Sequence, residues 1–236
     1  MIEIELALQR GEFDLGIALA TEARALALFG PSGCGKTSTL LAIAGLLRPR
    51  RGRIAIDGHT LFDGDTGTDL PPARRGLGVV FQDARLFPHL SVRDNLGYGM
   101  PRGATTSTFD NVVALLGLST LLGRKPGQLS GGQARRVAIG RALLRQPCAL
   151  LLDEPLANLH REARTEVLEH LRGLKREFAL TTIMVSHQHD EIAALADAVA
   201  LIDDGRLAGL QDIATFRAAP PAAFATAPAP DLLAAR

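Results

Sequence analysis

Apolar and polar positions along the chain predict a layered α/β fold. Residues 2–8 alternate between the two classes as an edge strand does, whereas residues 25–29 form a wholly apolar run that leads into a glycine. More short runs have the composition of buried strands, at residues 53–56, 77–81, 149–152, 181–185 and 199–202. Asp204-Gly205 then predicts a hairpin turn after the last of these runs.

Between these runs, apolar residues recur at helical spacing over much of the chain. Helices are expected over residues 37–47, 133–144 and 161–178, and the leucines of the last segment recur at the spacing of a core-facing helix. Because runs of the two kinds alternate, the pattern indicates a sheet with helices packed on it.

One long stretch interrupts this alternation. Between residues 83 and 147 the strand signals nearly vanish, while apolar residues from 109 to 116 follow a helical stripe. We therefore predict a single domain in which a helical subdomain, residues 83–147, is inserted into a core formed by residues 1–82 and 148–217. Residues 218–236 are rich in Ala and Pro, which predicts a tail outside the core.

Charge and composition exclude several classes of protein. The 236 residues carry 26 Lys and Arg against 25 Asp and Glu, a formal charge of +1, so no global field favours a nucleic-acid partner. The two cysteines, Cys34 and Cys148, are too few for a disulfide framework and fit a reducing cytoplasm. The N-terminus reads as a strand and not as a signal peptide, and the apolar runs are far shorter than the roughly 20 residues that cross a bilayer. Any work at a membrane would therefore need other chains.

The segment GPSGCGKT, residues 30–37, follows an apolar strand and opens a helix, as a phosphate-binding loop does. Its candidate ligands are Gly30, Pro31, Ser32, Gly33, Cys34, Gly35, Lys36 and Thr37, with Ser38 next to them. Backbone N–H groups of such a loop surround phosphate, Lys36 would neutralise the β and γ phosphates, and Thr37 would offer its hydroxyl to Mg²⁺. The alternative is an ordinary glycine-rich turn. Cys34 would pack without reacting, or would have its pKa lowered by the helix N-terminus.

Two further segments carry candidate chemistry. ALLLDE places Asp153 and Glu154 at the end of a buried strand, where Asp153 would hold Mg²⁺ and Glu154 would act as general base toward water. Their alternative is a pair of solvated loop acids. LSGGQ precedes a helix, so that Ser130 and the glycine amides could form a second anion site, or simply a capped helix start.

These segments occur in the order found in ABC transporter ATPases: GPSGCGKT, Gln82 in VVFQDARLFP, LSGGQ, LLLDEP and His187 in VSHQHDE. The chain resembles that family over nearly its whole length. The resemblance implies a P-loop NTPase (RecA-like) core with an N-terminal antiparallel β subdomain and an inserted helical subdomain. It also implies hydrolysis of ATP with Mg²⁺ at the cytoplasmic face of a membrane, where the chain would be peripheral.

The same resemblance assigns further roles. Ser130, Gly131, Gly132 and Gln133 of one copy would close over ATP held by a second copy in a head-to-tail dimer. Gln82 would touch Mg²⁺ and water, and His187 would join Lys36 and Glu154 in catalysis by contacting the γ-phosphate.

Two positions depart from the family pattern, and the role of a third stays open. The loop PLANLH has Ala157 and His160 where relatives usually carry the serine and aspartate of PLSALD. Because His160 is not a permanent anion, an unusual turnover rate or pH dependence is expected. Phe13 would either stack on the adenine base or lie in the core.

The stretch from Leu70 to Met100 is most similar to the ATPase subunit of molybdate importers, notably in FQDARLFPH and YGM. This resemblance implies transmembrane permease partners, an indirect substrate-binding protein, and uptake of an oxyanion, with molybdate favoured over tungstate, sulfate or ferric iron. We expect the permease to dock on Phe87, Pro88, His89 and Val92. Many such ATPases continue into an oxyanion-binding regulatory domain, for which the residues up to Arg236 leave no room, so direct substrate feedback is not expected.

Other classes are kept as alternatives. A soluble ABC-type ATPase acting on DNA or ribosomes would call for coiled-coil insertions, tandem cassettes or a basic surface. A non-hydrolysing nucleotide switch is suggested by Ala157 and His160 but opposed by Lys36, Asp153 and Glu154.

Overall fold

The computed structural model describes residues 1–101 and 103–218. The strands are β1 (Ile2–Arg10), β2 (Phe13–Thr21), β3 (Ala25–Phe29), β4 (Arg51–Ile56), β5 (His59–Asp63), β6 (Thr68–Asp69), β7 (Leu77–Val80), β8 (Ala149–Asp153), β9 (Thr181–Val185), β10 (Ala198–Asp203) and β11 (Arg206–Asp212). The helices are α1 (Lys36–Ile43), α2 (Val92–Gly97), α3 (Thr106–Leu115), α4 (Gly131–Leu144), α5 (Arg161–Glu177), α6 (His189–Leu195) and α7 (Ile213–Ala218). The predicted tail, apart from Ala218, lies outside the described residues.

The strands join into one sheet in the order β6-β5-β4-β1-β2-β11-β10-β3-β9-β8-β7. Neighbours from β10 to β7 in that order run parallel, while the five strands from β6 to β2 pair antiparallel. The predicted α/β fold with an N-terminal antiparallel part is thereby confirmed.

Strands β3 and β8, in the parallel part of the sheet, are buried on both faces, which explains their continuous apolar composition. In β3, Leu26 and Leu28 contact a cluster that includes α1 and the antiparallel strands. Ala27 and Phe29 contact a second cluster, which includes residues of α4, α5 and α7. The sheet therefore separates two cores, with α1 enclosed between its parallel and antiparallel parts.

Two strand predictions were wrong or incomplete. β1 is not an edge strand, because it pairs with both β2 and β4. Its alternation arises because Ile2, Ile4, Leu6 and Leu8 are buried on one face while the other face is more exposed. The strands β2, β5 and β6 were not predicted: buried and more exposed residues alternate in β2, and β5 and β6 are short.

Helix α1 ends at Ile43, earlier than the predicted residue 47. The Arg75 guanidinium donates to the carbonyls of Ala42 and Ile43, each at 2.8 Å, and so binds the last carbonyls of the helix. Gly45 follows with φ 77° and lies against the same guanidinium, where a side chain would collide. The buried arginine thus ends the helix.

Residues 83–147 contain α2, α3 and α4, and no strand among those that are described. The side chain of Val92 is fully buried in the core of this part, so its predicted role in docking a partner is wrong. Pro88 and His89 are exposed and Phe87 is half-buried. No helix in residues 1–101 and 103–218 combines the length and hydropathy needed to span a membrane.

The loop before α2 is held by one buried polar side chain. Asn95 is fully buried; its Oδ1 accepts from the Phe87 N–H at 2.8 Å, and its Nδ2 donates to the carbonyls of Phe87, Leu90 and Ser91. Because these backbone groups are shielded from water, the amide replaces hydrogen bonds that they would otherwise lose.

Replacing Asn95 with Ala should therefore lower the free energy of unfolding by about 2–3 kcal/mol, since several backbone groups lose their partner. Urea denaturation followed by circular dichroism measures this change. The matched control is Asn111→Ala at an exposed position of α3, which should stay within about 0.5 kcal/mol of the wild type. Equal stability of the two variants would contradict the anchoring role of Asn95.

Candidate active site

The loop between β3 and α1 is shaped by close packing at two glycines. At Gly30 an added Cβ would lie 2.0 Å from the carbonyl oxygen of Ile202, and at Gly35 it would lie 2.5 Å from Leu15. Both residues also have positive φ, of 159° and 105°. The loop therefore lies tightly against β10 and β2, with its N–H groups at the start of α1.

Lys36 is folded across this loop. Its ammonium group donates to the carbonyl oxygens of Gly30 at 2.8 Å and Pro31 at 2.7 Å, and the side chain is only 6% exposed. A buried cation held by loop carbonyls is suited to bind an incoming anion, because it is already desolvated.

Cys34 lies under the same loop and is buried. Burial raises the pKa of its thiol, and the nearby Lys36 only partly opposes that effect. The lowered pKa considered from its place before a helix is therefore wrong, and packing accounts for this residue.

Thr37 and Asp153 come together at the ends of α1 and β8. The Thr37 hydroxyl donates to Asp153 Oδ1 at 3.0 Å. Burial is the main cause that raises the pKa of the Asp153 carboxyl, while the bond from Thr37 lowers it. A hydroxyl and a buried carboxylate are oxygen ligands of the kind that a hard cation prefers, so this pair fits Mg²⁺.

Glu154 follows in the left-handed region, with φ 44°. Its N–H donates to the carbonyl of Val185 at 3.0 Å, which ties it to the end of β9. Its Oε1 lies 3.0 Å from Nδ1 of His187. The two acidic residues thus diverge, Asp153 toward Thr37 and Glu154 toward His187.

Glu154 also lies where two clefts meet. The larger cleft, of about 580 Å³, is lined by Phe13 and by residues 32, 33 and 35–38 of the loop and α1. This volume is within the range of sites for small molecules and cofactors. The other, of about 260 Å³, is lined by Gln82, Ala157 and His187 among others. Phe13 is half-buried at the wall of the larger cleft, beside Gly35.

Ser130–Gln133 do not line either of these clefts. Ser130 caps α4: its Oγ accepts from the Gln133 N–H, and the Gln133 side chain accepts from the Ser130 N–H. Gly132 is needed for packing on α5, because an added Cβ would lie 3.0 Å from that of Ala163. Within one chain this segment is therefore a capped helix start, apart from the other candidate residues.

His160 is exposed and precedes α5, with no side-chain hydrogen bond to that helix. It is available to a second molecule.

Sequence reasoning missed three polar residues behind His187. Gln188 contacts the imidazole ring, and Arg164 links Gln188 to the buried Glu191. Gln188 and Glu191 lie in the same segment as His187, VSHQHDE, but no motif marks Arg164.

The sequence of this chain is similar to a known family and to several known proteins. Residues 19–157 match the family model described as ABC transporter. The molybdenum import ATP-binding protein ModC of Paramagnetospirillum magneticum is 49% identical over 211 residues, which is 88% of this chain and 58% of that protein. ModC of Salmonella choleraesuis is 54% identical over 181 residues, 77% of this chain and 51% of that protein. The chain thus spans somewhat more than half the length of these relatives.

Solved structures show the same fold. The dimeric structure of MJ0796, a bacterial ABC transporter cassette, has a TM-score of 0.73 and 27% identity, and the match covers 90% of this chain and 99% of that one. The structure of cbiO1 from Clostridium perfringens, part of the ABC transporter complex cbiONQ, has a TM-score of 0.78 and 27% identity, with 92% and 90% covered.

The raised pKa of Asp153 predicts that Asp153→Asn stabilises the protein in the absence of Mg²⁺ and nucleotide. The folded chain holds a proton on this carboxyl more tightly than the unfolded chain does. Stability from this group is therefore present at low pH and lost as the pH rises through the raised pKa. The amide does not ionise, so the variant's advantage in unfolding free energy should grow from about pH 4 to pH 7.

Urea denaturation at several pH values measures this advantage. Asp110→Asn, at an exposed position of α3, serves as the control and should show no such growth. A variant that is less stable than the wild type at pH 7 would contradict the prediction.

Proposed function

Because this chain belongs to the ABC transporter family, we propose that it binds and hydrolyses ATP to energise an importer. The observation that carries the proposal is the convergence of buried Lys36, the Thr37–Asp153 pair and the Glu154–His187 pair beside one cleft. Phosphoryl transfer requires these parts: a cation for the phosphates, a metal holder and a group that activates water.

Each side chain has a role in this proposal. Loop N–H groups and Lys36 hold the phosphates, and Phe13 stacks on the base at the wall of the cleft. Thr37, Asp153 and Gln82 would hold Mg²⁺, which would neutralise charge on the phosphates. Glu154 accepts the proton of the attacking water, and His187 contacts the γ-phosphate next to it.

The site is completed by a second copy of the chain. Ser130 and its neighbouring glycines lie apart from the loop of their own chain but expose a capped helix start, which is suited to binding phosphate. In a head-to-tail dimer this segment of one copy covers the nucleotide on the other. The dimeric form of MJ0796 supports this arrangement. His160 then faces the partner copy.

A groove of about 440 Å³ is the proposed docking surface for a transmembrane permease. Tyr98 and Leu46 line it with 54% and 48% of their surface exposed, and Phe87 packs on Tyr98 with ring centroids 4.3 Å apart. Three cations, Arg85, Arg141 and Arg145, also line it, and Nη1 of Arg141 is buried without a hydrogen-bond partner. A permease segment with apolar side chains and a carboxylate fits this groove.

Molybdate is the proposed transported ion, brought to the permease by a binding protein outside the membrane. The similarity to ModC proteins supports this choice over tungstate, sulfate or ferric iron. The chain itself then works at the cytoplasmic face of the membrane and does not touch the ion.

Glu154→Gln should lower ATP hydrolysis by at least about 100-fold, because the amide cannot accept a proton from water. The ATP-bound dimer should accumulate, since hydrolysis no longer opens it. Phosphate release and size-exclusion chromatography with ATP measure the two effects. Glu162→Gln, an exposed carboxylate at the start of α5, is the control and should keep full activity. Normal hydrolysis by Glu154→Gln would rule out this carboxylate as the base.

Uptake of molybdate by a strain lacking this chain should be lost under limiting molybdate and restored by the wild type but not by Glu154→Gln. Sulfate and iron are varied separately, so that failure of molybdate uptake is distinguished from a general defect. Uptake unchanged by the deletion, in a strain with no second importer, would refute molybdate as the substrate.

The same assay tests the groove. Tyr98→Ala should keep the ATPase activity of the purified chain but restore less uptake than the wild type, because the exposed ring is lost from the docking surface. Full uptake by this variant would show that the docking surface lies outside this groove.

A further inference from the structure

Both ring nitrogens of His187 are engaged by protein groups. Nδ1 lies 3.0 Å from Glu154 Oε1, and Nε2 lies 2.9 Å from the side-chain nitrogen of Gln188. The ring is partly exposed, at 39%, and lines the smaller cleft together with both partners. Its orientation in the nucleotide-free chain is thus set by one contact on each side.

The direction of these hydrogen bonds follows from the chemistry of the partners. Arg164 can only donate, and its Nη2 lies 3.4 Å from Oε1 of Gln188, so the amide presents its NH₂ group to the ring. The ionised carboxylate of Glu154 can only accept, which requires the proton on Nδ1. Each group therefore donates to the next, from Arg164 through Gln188 and His187 to Glu154, which leaves Nε2 of the ring without a proton.

Gln188 is itself held at two points. Its backbone N–H donates to Ser186 Oγ at 3.0 Å, and that hydroxyl donates to Oε2 of Glu191 at 2.7 Å. Glu191 is only 3% exposed, and its other oxygen, Oε1, lies 3.1 Å from Nη2 of Arg164 in an ion pair. The ion pair between Arg164 and the buried Glu191 therefore fixes both the backbone and the side chain of Gln188.

We propose that Gln188 is a positioning residue that holds His187 on Glu154 in the nucleotide-free chain and releases the ring when a γ-phosphate arrives. An unprotonated Nε2 covered by an amide cannot donate to a phosphate oxygen. Contact between Nε2 and the γ-phosphate therefore requires the Gln188 contact to break and Nε2 to take up a proton from water. This step rests on the proposed function, whereas the position of the proton on the ring does not.

The test uses Gln188→Met, which keeps the length of the side chain but has no donor, with Gln188→Ala as a second variant. In both variants the hydrogen bond between Gln188 and His187 is absent and does not have to break when the analogue binds. The affinity for a non-hydrolysable ATP analogue with Mg²⁺ should therefore rise about 2- to 10-fold. Affinity for ADP should not change, because ADP has no γ-phosphate. Calorimetry measures both, and Gln9→Met, at an exposed position of β1, is the control.

Nitrogen-15 spectra of the histidine rings test the proton position directly at a pH where the ring is neutral. In the wild type His187, assigned by the signal lost in His187→Ala, should carry its proton on Nδ1. In both Gln188 variants that preference should weaken, because Gln188 no longer holds the ring on Glu154. An unchanged tautomer in the variants, or an equal change in affinity for the ATP analogue and ADP, would overturn the proposal. A wild type that binds no nucleotide but shows the expected tautomers would refute the proposed function and leave the role of Gln188 in fixing the ring.

Discussion

The candidate site depends on one constraint, the parallel pairing of β9 between β3 and β8. In this register Val185 is opposite both Leu28 and Asp153, so three strands distant in sequence end at the same level. The candidate phosphate-binding loop follows β3, Glu154 follows β8 and His187 follows β9. Since carboxyl ends of parallel strands share one edge of a sheet, these groups meet without any direct link in sequence.

Sequence alone predicted the parts of the fold with strong and local signals. β3 and β9 were predicted at their observed bounds because buried parallel strands are continuous apolar runs. β2 was not predicted because its buried residues alternate with more exposed ones, and β5 because only two of its five residues are buried and apolar. The early end of α1 was not predicted for another reason. It is set by a hydrogen bond from Arg75 to the carbonyl of Ile43, and these two residues are 32 positions apart in the sequence.

The same distinction applies to the site. The loop of residues 30–37, Asp153 and Glu154 were recognisable because phosphate and metal chemistry restricts residue type and spacing. The contacts around His187 were not recognisable in this way. They join Gln188 to Arg164 and Glu191, and Arg164 lies on α5, which no spacing rule connects with the end of β9. The burial of Val92 could not be predicted from the sequence either, because an apolar residue beside an exposed loop can belong to the core or to a docking surface.

Arg135 shows how the nucleotide cleft and the proposed docking groove are physically connected. It follows the LSGGQ segment on α4, is 4% exposed, and donates to the carbonyls of Phe81 and Gln82. The Gln82 side chain lines the smaller cleft, whereas the Phe81 ring lines the groove, with Arg85 stacked 4.0 Å from its centroid. Because a buried guanidinium is costly to leave unpaired, α4 and these two residues move together. If nucleotide displaces Gln82, as the proposed function implies, Arg135 and Phe81 would transmit that displacement to the groove.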